Sequence, residues 1–351
     1  MTSEPSPGFA CPIPLPAGDR ILLAHGEGAR VTRRLIREEL LPALDNTYLR
    51  QLGDGAILPP IEGRLVLTTD GSVVSPLFFP GGDIGMLAVH SAVYDLAVCG
   101  AEPLYLTLGM IIEEGLEVAV LRRVIQSVAE AARACGVPVV TGDTKVVPRG
   151  AADRLFLHTT GVGRLRPGVD LGPHRVRPGD RVLVSGTLGD HGLAVLAARE
   201  GLELDGGLVS DTAPLHDLVS VLLAGGAEVH FLRDPTRGGV SAVLHELAEA
   251  AGVSAEIEEV AIPLAPATRG AAELLGLDPL YIANEGKLVA VIAADSAERA
   301  LACLRAHPLG TNAALIGTIG SHDAGYVFVR GALGLLRVLD EPSGAPLPRI
   351  C

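Results

Sequence analysis

Hydrophobic and polar positions along the chain follow two alternating periods. Short apolar runs rich in β-branched residues predict strands, and longer stretches with apolar residues three and four positions apart predict helices. In the first half the predicted strands cover residues 21–24, 65–69, 104–112, 137–140 and 155–162, and the predicted helices cover residues 31–44, 84–96 and 116–134. The strand at 137–140 is expected to stop at a turn formed by residues 141–145.

The same alternation resumes after a segment that contains Pro178 and Gly179. This segment predicts a linker, because proline and glycine favour turns. Beyond it, strands are predicted at 182–184, 254–257, 288–292, 314–319 and 326–329, and helices at 190–198, 214–223 and 239–250. Mixed strands and helices in both halves predict a two-domain α/β or α+β protein.

Four regions follow from this pattern. Residues 1–20 are rich in proline and small residues and are predicted to be a disordered extension. Residues 21–174 form the N-terminal domain, residues 175–340 form the C-terminal α/β domain, and residues 341–351 form a mobile tail that ends in Cys351.

Composition and charge exclude some classes of partner. The chain has 351 residues with a formal net charge of −13, which disfavours unspecific binding to nucleic acid or to anionic membranes. No apolar run approaches the roughly 20 residues that span a bilayer, and residues 1–20 lack the basic start of a secretion signal. The five cysteines show no metal-binding spacing, and an odd count suits a reducing compartment. We therefore expect a cytoplasmic protein.

Lysine is rare in this chain. Of the 28 basic residues only Lys145 and Lys287 are lysines. A lysine delivers a point charge to phosphate and can lose its proton in a dry site, whereas arginine stays charged. Both lysines lie in glycine-containing polar segments next to a carboxylate, Thr-Gly-Asp-Thr-Lys and Asn-Glu-Gly-Lys. This placement marks both as candidates for chemistry.

Several segments combine glycine with aspartate at a predicted strand end or helix start. Such carboxylates can bridge through Mg²⁺ to phosphates, which glycine backbones and helix N-termini also approach. The alternative is ordinary turn chemistry, and Asp83 could be a helix N-cap. His25 and His191 also lie in glycine-rich turns, where a structural role is the alternative to a catalytic one. The four segments surround Asp70, Asp83, Asp143 and Asp234.

The C-terminal segment has a different character. Residues 341–351 contain three prolines and show no periodicity, which favours extended polyproline-like geometry of about 3.1 Å per residue. A thiol at the tip of such an arm, Cys351, can visit sites on this protein and on others. The alternative is a frayed terminus that happens to end in cysteine.

Taken together, these motifs resemble the HypE family of hydrogenase maturation factors, within the superfamily of aminoimidazole ribonucleotide synthetase and selenophosphate synthetase. The tail is the most specific match. The matching segments are Ser75–Gly85, Thr141–Val147, Ser185–Gly192, Asp234–Gly239, Ala283–Lys287 and Pro348–Cys351. The resemblance implies a PurM-like fold, with an N-terminal ATP domain that dimerises through its sheet and a C-terminal α/β domain.

The resemblance also implies a reaction and partners. A carbamoyltransferase, HypF, would load a carbamoyl group onto Cys351. The protein would then use ATP and Mg²⁺ to dehydrate this group to a thiocyanate. The cyanide would pass to iron on the HypC–HypD complex, for the [NiFe]-hydrogenase centre. Because an amide oxygen is a poor leaving group, phosphorylation of that oxygen by ATP is the expected activation.

Roles for individual residues follow from the resemblance and this chemistry. Glu285 is expected to be the general base, and Lys145 is expected to stabilise the transferring phosphate. Lys287 would orient Glu285 or touch phosphate. Asp70, Asp83 and Asp143 are expected to carry Mg²⁺, and the remaining nucleotide-binding candidates are Gly82, Asp234 and Arg237.

The chain departs from the family pattern in three places. The glycine-rich loop near the start carries Glu27 and Ala29, and its carboxylate would repel phosphate. Tyr94 stands where the family has asparagine before the mid-helix aspartate, which argues against Asp95 as a ligand. The proline-rich N-terminal extension has no counterpart in the family.

Two alternatives remain open. One is another enzyme of the same superfamily, of the selenophosphate or thiamine-phosphate type. A selenophosphate synthetase needs a reactive cysteine in the glycine-rich loop, but Cys11 lies before that loop and the loop has none. The other alternative is a carrier that shuttles a group on Cys351 without catalysis. Such a carrier would tolerate Lys145→Ala with full turnover, and an enzyme would not.

Overall fold

Two β-sheets organise the chain. The computed structural model describes residues 18–28, 30–202, 207–322, 324–341 and the single residues 344, 347 and 350. None of the helices in these residues is long and apolar enough to cross a membrane. The strands of the first half are β1 (Leu65–Ser72), β2 (Phe78–Phe79), β3 (Gly82–Asp83), β4 (Ala101–Glu113), β5 (Val139–Val147) and β6 (Leu155–Leu165).

The first sheet has the strand order β1-β6-β4-β5. Only β4 and β5 run parallel, and the helix that connects them supplies the crossover that a parallel pair needs. β2 and β3 form a separate short hairpin. The helices of the first half are α1 (Arg30–Leu35), a π-helical turn (Ile36–Leu40), α2 (Leu41–Leu44), α3 (Ile84–Val98) and α4 (Val118–Cys135).

Among the described residues, helix α3 covers one face of the first sheet and the other face is open. On β1, Leu65 and Leu67 are 56% and 67% exposed. Successive side chains of a strand point to opposite faces, so these two lie on one face and Thr68 lies on the other. Thr68 donates a hydrogen bond to Asp95 of α3 (Oγ1 to Oδ2, 2.6 Å), which identifies its face as the one that α3 covers.

Helix α3 lies between the two halves of the molecule. All but two of its 15 residues are buried. One side packs with Leu106 and other residues of the first sheet. The other side, with Ala97 and Val98, packs with Leu215 and Leu218 of the second half. The side chains along α3 are therefore held rigidly at the junction of the halves.

The second half contains a seven-stranded sheet of order β13-β12-β9-β11-β7-β10-β8. Only β9 and β12 pair in parallel. Its strands are β7 (Arg181–Val184), β8 (Val229–Arg233), β9 (Ser254–Glu258), β10 (Val289–Ile292), β11 (Ala314–Gly320), β12 (Val327–Arg330) and β13 (Leu336–Leu339). Its helices are α5 (Asp190–Glu200), α6 (His216–Ala224), α7 (Gly239–Ala251), α8 (Pro266–Leu275) and α9 (Ala297–Arg305).

Two local predictions were wrong. Residues 21–24 do not form a strand, because Leu23–Gly26 is a 3-10 helix. The Thr-Gly-Asp-Thr-Lys segment is not a turn but the middle of β5, where Asp143 pairs with Gly109 and Lys145 with Ile111 of β4. The long β4 supplies hydrogen-bonding partners across the whole segment, so strand pairing overrides the turn preference of Gly-Asp.

Two residues of the C-terminal segment are packed inside the protein. Leu347 and Ile350 are 6% and 3% exposed and belong to the same apolar cluster as Leu193 of α5 and Ile282. Residues 341–351 were expected to form an extended arm. Leu347 and Ile350 instead pack into the apolar cluster. The predicted mobility of the tail stays a prediction, and Cys351 lies outside the described residues.

Candidate functional site

A polar cavity of about 260 Å³ opens between the two halves. It lies between β1, α3, the loop after β8 and the loop before β10. Four residues that the sequence identified line it, namely Asp70, Asp234, Arg237 and Glu285. Tyr94, Asp95 and Ser91 of α3 also line it, as do Arg233 and Glu246. We call this space the Glu285 cavity.

Glu285 is the most deeply buried carboxylate of this cavity, at 1% exposure. Its Oε2 accepts a hydrogen bond from the Tyr94 hydroxyl at 2.6 Å. Its Oε1 is buried and has no hydrogen-bond partner among the described residues. Burial raises the pKa of Glu285 well above its ordinary value, although the Tyr94 hydrogen bond lowers it. A buried carboxyl with a raised pKa and one unengaged oxygen is suited to proton transfer.

Glu285 is anchored through its backbone by Asp211, a residue that the sequence analysis missed. Asp211 Oδ1 accepts from the Glu285 backbone N–H at 3.1 Å, and Oδ2 accepts from Lys287 Nζ at 3.0 Å. The side chains of Lys287 and Asp211 are only 11% and 4% exposed. Lys287 therefore pairs with Asp211, the residue that accepts from the Glu285 backbone N–H. No motif in the sequence marked Asp211, which lies 74 residues before Glu285.

The loop that carries Glu285 is fixed by its neighbours in sequence. The Asn284 side chain donates to the carbonyls of Pro235 and Ile282 and accepts from the Gly189 N–H, all within 3.0 Å. A Cβ on Gly286 would lie 1.7 Å from the carbonyl oxygen of Asp211, so only glycine fits there. The contacts of each residue in the Asn-Glu-Gly-Lys segment thus explain why that residue type occurs there.

Two further carboxyls of the cavity, those of Asp95 and Asp234, also have raised pKa values. Burial raises the pKa of Asp95 to about 7, and the nearby charge of Asp234 adds to the rise. Burial likewise raises the pKa of Asp234, while a hydrogen bond from Thr236 opposes the shift. Burial thus raises the pKa of three carboxyls at this cavity, those of Glu285, Asp95 and Asp234.

Asp143 and Lys145 lie elsewhere. They line a second cavity of about 240 Å³, between the first sheet and the N-terminal helices. Lys145 Nζ pairs with Asp143 Oδ2 at 3.0 Å, and both side chains are about two-thirds exposed. Of the two cavities that the described residues form here, Lys145 therefore lines one and Glu285 lines the other. Their joint action on one reacting group stays a prediction.

Gly82 and Asp83 line neither of these two cavities, and each has a structural role. Asp83 Oδ1 accepts from the backbone N–H groups of Gly85 and Met86 at 2.8 and 3.1 Å, so Asp83 is the N-cap of α3. A Cβ on Gly82 would lie 2.9 Å from atoms of Phe79 and Thr212. The structural alternative considered for Asp83 is what the geometry shows.

The three expected Mg²⁺ ligands do not meet in one chain. Asp70 lies two residues after Thr68 and so faces α3. Residues paired across strands share a face of the sheet, and Asp143 pairs with Gly109, which pairs with His158. The His158 ring contacts Thr69, whose side chain lies on the face opposite to Asp70, so Asp143 also lies on that opposite face. Across the part of the chain that the structure describes, no group of three His, Cys, Asp or Glu side chains could hold a metal ion. The expected carboxylate set therefore does not fit a single-chain magnesium site.

Ile350 contacts His191, the second residue of α5. His191 is fully buried, and burial lowers its pKa, which favours the neutral ring. Its Nε2–H donates to the carbonyl oxygen of Ile350 at 2.5 Å, and its Nδ1 accepts from the Ser210 hydroxyl at 2.8 Å. A carbonyl only accepts hydrogen bonds, so this contact fixes the ring tautomer. The residue before Cys351 is therefore held at a defined point.

Comparison with known proteins explains this combination of features. Models of the AIR synthase related protein family match the N-terminal domain at residues 52–165 and the C-terminal domain at residues 177–330. A protein of Cupriavidus necator named carbamoyl dehydratase HypE is 50% identical over 345 residues, which cover 98% of each chain. The chain belongs to the HypE family.

Solved structures of HypE proteins support this assignment to the HypE family. A HypE structure in complex with ATP matches with a TM-score of 0.90 and 46% identity, covering 94% of this chain and 99% of that one. The HypE of a HypE–HypF complex matches with a TM-score of 0.77 and 45% identity, covering 88% of this chain and 99% of that one. The predicted family and two-domain PurM-like fold are confirmed.

Proposed function

We propose that this chain is an ATP-dependent carbamoyl dehydratase, which converts a carbamoyl group on Cys351 into a thiocyanate for hydrogenase maturation. Near-full-length relatives that bear this name support the activity. The structural observation that carries the proposal is Glu285, a fully buried carboxyl with one unengaged oxygen at a polar cavity.

The chemistry balances as a phosphorylation followed by an elimination. The carbamoyl oxygen attacks the γ-phosphorus of ATP, the bond to the bridging oxygen breaks, and ADP leaves. The C–O bond of the phosphorylated group then breaks as a C≡N bond forms. The nitrogen loses two protons, one of which ends on the released phosphate and one in solvent. The products are the thiocyanate, ADP and phosphate.

Glu285 is proposed to remove the nitrogen protons. Its raised pKa makes it a stronger base than an exposed glutamate, and its Oε1 is the oxygen available to a substrate. Lys287 and Asp211 hold the backbone of this residue, so the carboxylate keeps its place during the reaction. Asp234 and Arg237 are proposed to contact the nucleotide from the same cavity.

ATP is the nucleotide found in a HypE relative, and we propose that this chain also uses it. Lys145 would stabilise the transferring phosphate by its point charge. Gly82 remains a nucleotide-binding candidate through its backbone. Mg²⁺ stays part of the proposal as the counter-ion of ATP, with Asp70, Asp83 and Asp143 as the predicted ligands. No step is assigned to the metal, because these three carboxylates do not converge in one chain.

The proposal includes partners. A HypE–HypF complex is known for a relative, and we propose that HypF loads Cys351 and that a HypC–HypD complex accepts the cyanide. We further propose a cytoplasmic homodimer. Leu65, Leu67 and Ile111 on the open face of the first sheet are 56%, 67% and 41% exposed, which supports pairing of two copies there.

Intact mass of the carbamoyl-loaded protein, before and after Mg-ATP, tests the proposal. We expect the adduct on Cys351 of the parent protein to lose one water. In Glu285→Gln and Lys145→Ala, the mass of the adduct should stay unchanged. Glu273→Gln, an exposed glutamate of α8, is the matched control and should behave as the parent protein. An adduct that never changes in the parent protein would leave a carrier that does not catalyse.

A further inference from the structure

Tyr94 of α3 is a buried phenol next to Asp95. It is 2% exposed and belongs to the apolar cluster that Ala97 and Val98 form with Leu215. Its hydroxyl donates to Glu285 Oε2 at 2.6 Å, a length typical of a strong hydrogen bond to a charged acceptor. The ring packs as a core residue, and the hydroxyl reaches the reactive carboxylate.

The contact distinguishes the two oxygens of Glu285. A free carboxylate has two equivalent oxygens and can rotate. With Oε2 held by Tyr94, rotation is restricted, and Oε1 is left without a partner among the described residues. Glu285 lines the polar cavity, so Oε1 is the oxygen left for a substrate.

The surroundings of Glu285 raise its pKa, and the Tyr94 hydroxyl lowers it. Burial disfavours the ionised carboxylate most, and the charges of Asp70 on β1, Asp211 before α6 and Asp234 after β8 add to this effect. Lys287 is engaged with Asp211. The Tyr94 hydrogen bond opposes these effects, because a donor stabilises the charged form. The other charged residues that line the cavity are Asp95 of α3, Arg233 of β8, Arg237 and Glu246 of α7.

We propose that Tyr94 is a positioning residue for the dehydration, which fixes the Glu285 carboxylate through Oε2 and so presents Oε1 to the substrate nitrogen. This inference rests on the proposed role of Glu285 as general base. It assigns a function to the aromatic residue at a position where the sequence departs from the family pattern.

Tyr94→Phe tests the inference, because it removes one oxygen and keeps the packed ring. The readout is the single-turnover rate of water loss from the carbamoyl adduct as a function of pH. Loss of the donor raises the pKa of Glu285, and the base must be ionised to act. The acid limb of the profile should therefore move to higher pH by about 1 to 2 units, the size expected for a hydrogen bond to a charged group. KM for ATP should stay within about twofold.

Two controls separate positioning from a structural effect. Tyr326→Phe, at an exposed position of the second half, should leave the profile unchanged. The double variant Tyr94→Phe with Glu285→Gln should be no slower than Glu285→Gln alone, since Tyr94 acts through Glu285. A Tyr94→Phe profile that overlays the parent, or a double variant with additive losses, would overturn the inference.

A second measurement does not depend on the folding of a variant. Protein produced with 3-fluorotyrosine carries a more acidic phenol and thus a stronger donor, so the acid limb should move to lower pH. No shift, or a shift to higher pH, contradicts the inference. If Glu285→Gln dehydrates at the parent rate, the proposed base is wrong, and this result is distinct from an unchanged Tyr94→Phe profile.

Discussion

The buried pair of Asp211 and Lys287 offers a test of how the site is built. Asp211→Ala removes the acceptor of Lys287 Nζ and that of the Glu285 backbone N–H together. Removing one partner of a buried ion pair costs about 3 to 5 kcal/mol, because the other charge stays buried and unpaired. A buried N–H left unsatisfied adds about 1 kcal/mol or more. We expect the free energy of unfolding to fall by about 4 to 6 kcal/mol, and dehydration to be lost.

Urea unfolding followed by circular dichroism measures this loss, since the chain has no tryptophan to report by fluorescence. Asp170→Ala is the control. It breaks contacts of the 61% exposed Asp170 side chain with His174 and Arg175 at the surface and should change stability little. Adding Lys287→Met to Asp211→Ala should recover a large part of the loss, because no unpaired charge remains. A loss below about 1 kcal/mol, or no recovery in the double variant, would refute the reasoning.

Three further predictions follow. Burial raises the pKa of Asp95 to about 7, above the value of an unfolded aspartate. The parent protein should therefore lose stability relative to Asp95→Asn as the pH rises from about 4 to 7, by at most about 4 kcal/mol. Urea unfolding of both proteins at each pH measures this difference. Gly286→Ala should displace the Glu285 loop and abolish dehydration, whereas Gly270→Ala, with open space around it, should not. Asp83→Ala should lower the free energy of unfolding by about 1 kcal/mol through loss of the cap of α3, and an unchanged urea midpoint would contradict this.

Sequence patterns predicted the elements whose periodicity is strong. Helix α4 and strands β1, β4 and β6 lie where the apolar pattern placed them, with ends that differ by a few residues. β5 was cut short because Gly142 and Asp143 resemble a turn, and only the pairing with β4 shows that they continue a strand. Local preference was overruled there by contacts between residues distant in sequence.

The candidate site was predictable only in part. The rarity of lysine and the Asn-Glu-Gly-Lys segment pointed to Glu285 and Lys287. The structure places Glu285 at the cavity and Lys287 on Asp211, which accepts from the Glu285 backbone N–H. Asp211 and the role of Tyr94 could not be predicted, because both depend on contacts across at least 74 residues of sequence. Residue type alone gave no way to separate Asp70, at the cavity, from Asp143, on the opposite face of the same sheet.

The fate of the carbamoyl oxygen tests the central claim most directly. Protein loaded on Cys351 with an ¹⁸O-labelled carbamoyl group is treated with unlabelled ATP in unlabelled water, and the released phosphate is analysed by mass spectrometry. If the carbamoyl oxygen attacks ATP, the label appears in inorganic phosphate as the adduct becomes a thiocyanate. Phosphate without the label, released while the adduct loses water, would contradict activation of the carbamoyl oxygen by ATP.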